Sequence, residues 1–99
     1  MSTTHAGGVT LKIDGELTIA VARTTAGQWH EAVRRAGPVV VDVERLGKVD
    51  TAGLQLLLSL KRTCEESNRT FLWQGNSASL QDAATRCGLA DELGLKAGD

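Results

Sequence analysis

Aromatic residues are nearly missing: Trp29, Phe71 and Trp73 are the whole set, and there is no tyrosine. A core must therefore come from leucine, valine, isoleucine and alanine. Cysteine occurs twice, as Cys64 and Cys87. Two widely separated thiols make no disulfide framework, and no closely spaced Cys/His cluster offers a metal site. A cysteine nucleophile would need His5 or His30 as its base. The first lies in the N-terminal tail and the second on an amphipathic helix, so an enzyme of that kind is not indicated. No apolar run approaches the roughly 20 residues needed to span a bilayer. Residues 1–8 are polar and small and lack the apolar centre of a secretory signal. Charge of one sign is missing too: 11 basic and 12 acidic residues are interspersed, for a formal charge of −1. That excludes the basic surface on which nucleic-acid binding depends. Gly7-Gly8 and Gly75-Asn76 are turns; a Gly-Lys-Ser/Thr phosphate loop is absent. The expectation is a cytoplasmic protein with no cofactor, no metal and no membrane insertion.

What is present suits one small domain. The 99 residues are 41% apolar, enough for a single modest core. Residues 9–13 alternate apolar and polar, as a half-buried strand does, and Asp14-Gly15 punctuates them. Thr18 is placed to cap a helix over residues 19–36. Its inward face is expected to carry Ile19, Ala22, Ala26, Trp29 and Val33. Gly37-Pro38 ends it. Residues 39–43, nearly all valine, read as a strand covered on both faces. Residues 44–49 read as a loop. A second helix opens at Asp50 or Thr51 and runs to about Ser67. Leu54, Leu57, Leu58 and Cys64 face inward; Gln55, Ser59, Arg62 and Glu66 form a polar stripe. Residues 70–74 form another strand. Asn76 or Ser77 caps a third helix carrying Leu80, Ala83, Ala84 and Cys87, and Gly88 stops it. Residues 89–93 add a last helical turn. Cys64 and Cys87 are both expected to be buried and inert. Strands alternating with helices imply an α/β layered fold with parallel neighbours.

The most informative stretch is Asp50-Thr51-Ala52-Gly53-Leu54, where a loop pattern gives way to a leucine-rich helix. A hydroxyl there faces the positive end of the helix, where free N–H groups can hold an anion. Thr51 is thus a candidate switch residue, able to carry a phosphate or to sit in an interface. It also suits a plain helix cap, as does Asp50. Gly53 is unusual in a first turn, where it costs up to ~1 kcal/mol against alanine. Close approach of a partner explains it, and so does tight internal packing.

These residues resemble the STAS domain family, named for sulfate transporters and anti-sigma-factor antagonists. Asp50-Thr51-Ala52-Gly53-Leu54 is similar to the family's Asp-Ser/Thr-x-Gly-Leu signature. Gly15-Glu16-Leu17 matches its Gly-Glu-Leu turn, residues 39–43 its central strand, and Gly88-Leu89 the Gly-Leu after its third helix. The resemblance covers residues 9–95, with residues 1–8 left as a flexible N-terminus or short edge strand. It implies a single STAS domain, a small mixed β-sheet with α-helices packed on it. In the antagonist branch, the hydroxyl after the Asp is phosphorylated by a kinase that doubles as an anti-sigma factor. That position is Thr51. A second branch comprises small STAS subunits of phospholipid-transport ABC complexes, which dock on the ATPase subunit; there Thr51 would be an interface residue. One departure is Thr18, where the antagonist branch commonly has Asp.

The resulting expectation is a non-enzymatic regulatory binding module. Thr51 is the phosphoacceptor. The partner surface comprises Asp50, Thr51, Ala52, Gly53, Gln55 and Ser59, with Glu16 and Thr18 in a second patch. The partner is an anti-sigma factor with Ser/Thr kinase activity or, alternatively, an ABC transporter ATPase. A short first strand also leaves an edge open to a second copy of the chain.

Overall fold

The computed structural model describes residues 9–32 and 37–95. Strand β1 (Val9–Lys12) is followed by β2 (Gly15–Leu17) and helix α1 (Ile19–Ala32). Then come β3 (Val39–Asp42), β4 (Leu46–Val49) and α2 (Thr51–Glu66). Strand β5 (Phe71–Gln74), α3 (Ala78–Arg86) and the short α4 (Ala90–Leu93) complete the described chain. The N-terminal tail expected at residues 1–8, and the end of α1 expected at residues 33–36 with Val33, lie outside the described residues.

β3 is the centre of a three-stranded sheet in the order β1-β3-β5. Val39, Val40 and Val41 are 0%, 5% and 0% exposed, as a β-branched strand covered on both faces must be. Both of its ladders are parallel, Leu11 pairing with Val41 and Val41 with Trp73. A second, two-stranded sheet pairs β2 with β4, also in parallel and with an irregular register. The α/β class stands as read. A mixed sheet was expected, whereas every ladder among the described residues is parallel, because the neighbouring strands are joined through crossovers rather than hairpins.

Sequence reading passed over β2 and β4. Residues 44–49 are not a loop: Leu46, Gly47, Lys48 and Val49 form a strand, and Gly15-Glu16-Leu17 is its partner rather than only a turn. Each carries a glycine, a poor strand former, and neither shows the alternation that marks β1.

The helices cover the sheet with leucine. Leu54 and Leu57 of α2 are sealed, Leu58 and Leu60 nearly so, and Cys64 is fully buried. Trp29 fixes α1 to this layer at 6% exposure, and α1 packs along α2. α3 contributes Leu80 and Ala84, and α4 contributes Leu93. Ser77 caps α3 by accepting the Leu80 amide at 3.1 Å. Gly88 and Gly94, at φ of 70° and 77°, end the last two helices in the left-handed region, where glycine alone is unstrained. Half-buried Trp73 meets Phe71 edge-on and donates its indole N–H to the Leu93 carbonyl at 2.8 Å. That bond ties the C-terminal turn to β5. No helix among the described residues is long and apolar enough to cross a membrane.

Two core assignments are corrected. Ile19 was expected on the inward face of α1 but is 75% exposed; it is the first residue of the helix, with no preceding turn to pack against. Cys87 was expected to be buried but is exposed; it stands just past α3 as the helix's C-cap.

Candidate functional site

β2 leads into α1 and β4 leads into α2, and the two strands are parallel neighbours. Their strand-to-helix turns therefore lie side by side, and the two helix N-termini open at the same end of the domain. One carboxylate serves both. Asp50 Oδ1 accepts the Gly53 amide at 3.0 Å, capping α2. Asp50 Oδ2 accepts the Ile19 amide at 3.0 Å, at the start of α1. Neither helix has an acidic residue in its own first turn. Asp50 supplies the negative charge that both positive helix ends favour. Those two amides, Ile19 first and then Gly53, hold its carboxyl below the usual 3.8, against a smaller opposing effect of burial.

Gly53 is what brings the turns so close. A Cβ there would lie 2.1 Å from the Leu17 carbonyl oxygen, inside any permitted contact. The glycine is buried, and of the two explanations its position allowed, internal packing accounts for it. Because the first turn of α2 presses against the end of β2, the Asp50 amide meets the Leu17 carbonyl at 3.4 Å. From there its side chain reaches α1.

Asp50, not Thr51, is therefore the cap of α2; Thr51 is the first helical residue, and its side chain is exposed. Gln55 and Ser59 follow at spacings of four, so the three share one exposed stripe. Ala52 is half-buried. In the neighbouring turn Glu16 is exposed, while Thr18 is buried at 5% and gives its hydroxyl proton to the Glu16 carboxylate. Thr18 does not cap α1 through its side chain, as expected from sequence; Asp50 does so from across the turn. What the Thr18 turn shows to the outside is Glu16 and, one residue on, the bare side chain of Ile19.

A groove of about 370 Å³ runs past Thr51, between the start of α2 and α3. Val49, Leu54 and Ala83 make its floor; Lys48, Ser79, Asp82, Arg86 and Cys87 line it as well. Arg86 and Asp82 are joined by an exposed ion pair at 2.9 Å. Ser59 sits further along, on a smaller cleft of about 150 Å³ shared with Trp29 and His30 of α1. Sequence reading missed Ile19, Lys48, Ser79 and Arg86. The last two come from an element some thirty residues downstream, and no local pattern announces that α3 packs beside Thr51.

Residues 1–95 match the family described as "Mlab, STAS domain". Comparison with curated protein sequences finds no relative. Among solved structures, the chain is similar to a sulfate transporter family protein from Wolinella succinogenes. The TM-score is 0.75 at 20% identity, over 93% of this chain and 75% of that one. It is also similar to the anti-sigma factor antagonist SpoIIAA in its unphosphorylated form. There the TM-score is 0.69 at 22% identity, over 91% of this chain and 80% of that one. At such identities the likeness to these two structures is one of fold. With parallel sheets and four helices among the described residues and a family match running over residues 1–95, the chain belongs to the STAS domain family.

Proposed function

We propose that this STAS domain is a regulatory binding module of the anti-sigma-factor-antagonist type, switched by phosphorylation of Thr51. The observation that carries the reading is the exposure of Thr51 at a rigid, Asp50-tied junction with exposed Ile19 beside it. An exposed hydroxyl on a fixed helix start is accessible to a kinase, and an apolar side chain next to it is a natural anchor for a partner. The Asp50 carboxylate is engaged with two amides, which suits a structural role rather than proton transfer. The similarity in fold to the antagonist SpoIIAA supports the same reading.

In the unmodified state a partner docks over Ile19, Glu16, Thr51 and Gln55, with Ser59 at the far margin. A phosphate on Thr51 adds about −1.5 to −2 charges at the centre of that surface and disfavours the contact. The partner in this reading is an anti-sigma factor with Ser/Thr kinase activity.

Affinity capture from the source cell, followed by mass spectrometry, tests this. The expected result is a Ser/Thr kinase, one phosphate on Thr51, and weaker capture by Thr51→Glu. Phosphate at another residue, or undiminished capture by Thr51→Glu, overturns it.

A second reading has its own support. Thr18 stands where the antagonist branch commonly has Asp, and its hydroxyl is buried and turned to Glu16, so position 18 itself offers a kinase no charge. This favours docking on the ATPase subunit of a phospholipid-transport ABC complex. Capture would then return an ATPase with membrane subunits, and Thr51→Glu would break that complex without any phosphate being found.

A further inference from the structure

The groove beside Thr51 carries the two cations that a phosphate on that residue would meet. Lys48 comes from β4, three residues before Thr51, and Arg86 from the last turn of α3. Both line the same 370 Å³ space as the Thr51 side chain. We propose that this groove is an intramolecular phosphate receptor: once Thr51 is phosphorylated, Lys48 and Arg86 hold the phosphate in the groove. The proposal rests on the reading of Thr51 as a phosphoacceptor and adds where the phosphate goes.

The charges facing the groove are Lys48, Asp50, Asp82 and Arg86, with the thiol of Cys87 beside them. Asp50 is the one that would repel a phosphate most directly, but its two oxygens face the amides of Gly53 and Ile19. Asp82 is engaged by Arg86 in an ion pair whose side chains are 60% and 76% exposed. Pairs so open to water hold weakly, whereas an arginine–phosphate contact is charge-assisted and often bidentate. Arg86 therefore exchanges Asp82 for the phosphate at little loss. Lys48 is exposed and lines the groove, so it reaches the same oxygens as a point charge. The exchange fills the groove and uncovers the Asp82 carboxylate on its rim. Phosphorylation then acts in two ways: it closes a cleft a partner side chain could enter, and it turns the rim acidic.

The test uses the full chain with phosphothreonine placed at position 51 during synthesis, titrated by 31P NMR. The second ionisation of free phosphothreonine falls near pH ~6. Held by two cations, its midpoint is expected to drop, and the double variant Lys48→Ala/Arg86→Ala should raise it by about half a unit or more. Asp82→Ala, which frees Arg86, should lower it further. The control Lys61→Ala/Arg62→Ala removes the same charge from the C-terminal half of α2 and should leave the midpoint in place. An equal midpoint in the double variant and the unsubstituted protein, or an equal rise in the control, overturns the proposal. The titration is independent of any partner or kinase. Its failure leaves the reading of Thr51 as a switch standing, and failure of that reading in cells leaves the titration unchanged.

Discussion

The Asp50 carboxylate joins the backbone of Ile19 to that of Gly53, 3.0 Å from each amide, and so pins the starts of two helices to one another. Parallel helices lying side by side set like dipole ends together, and a single anion at their common end offsets both. Asp50→Asn separates the two bonds. An amide side chain still offers Oδ1 to Gly53 but presents N–H to Ile19, where an acceptor is needed. Hydrogen exchange should therefore quicken at Ile19 far more than at Gly53. Asp50→Ala should quicken both and lower Tm further than Asp50→Asn.

The same carboxylate sets an acid response. Its folded-state value lies below the ordinary 3.8, so the charged form favours folding. That contribution is complete above about pH 3.8 and is lost as the pH falls through the lower, folded value. Denaturation midpoints measured from pH 5 down to pH 2 should fall less steeply for Asp50→Asn than for the unsubstituted chain. Parallel curves would remove Asp50 from the acid response.

Gly53→Ala places a methyl 2.1 Å from the Leu17 carbonyl, and backbone cannot step aside as a flexible side chain can. Pushing α2 off β2 should destabilise the fold by about 1–3 kcal/mol in urea unfolding, typical of overpacking. It should also weaken the Asp50–Ile19 bond, visible as faster exchange at the Ile19 amide.

Ile19→Ala tests the exposed anchor. At 75% exposure the side chain supports little of the core, so stability should stay within about 0.5 kcal/mol. Partner affinity should fall by roughly tenfold or more if the residue is a hot spot. Binding is read by surface plasmon resonance with the captured partner.

The two thiols should behave oppositely. Burial pushes the Cys64 thiol above its usual 9.0, and the residue is sealed in the core; Cys87 is exposed. A thiol reagent at pH 8 should modify Cys87 within minutes in the native protein and reach Cys64 only on unfolding. Early loss of Cys64 would place it outside the core.

The helices and the central strand were legible because their signals are local and repeated. The Val39–Val41 run and the leucine spacing of α2 leave little choice of structure. β2 and β4 were not legible, since each carries a glycine and neither has the alternation of β1 or the valine run of β3. Thr51 and its neighbours stood out because a helix start has its own chemistry. The rest of the site did not. Ile19 continues a helical apolar spacing, and its place at the very start of α1 leaves it exposed. Arg86 enters the groove through the packing of α3 against β4, a contact no window of sequence contains.

The indole of Trp73, half-buried and bonded to the Leu93 carbonyl, contrasts with that of Trp29, sealed between α1 and α2. The molecule thus carries two intrinsic fluorophores of unequal wetness. Detachment of the last helical turn would redden one emission while leaving the other blue, which makes fraying at that end observable without any label.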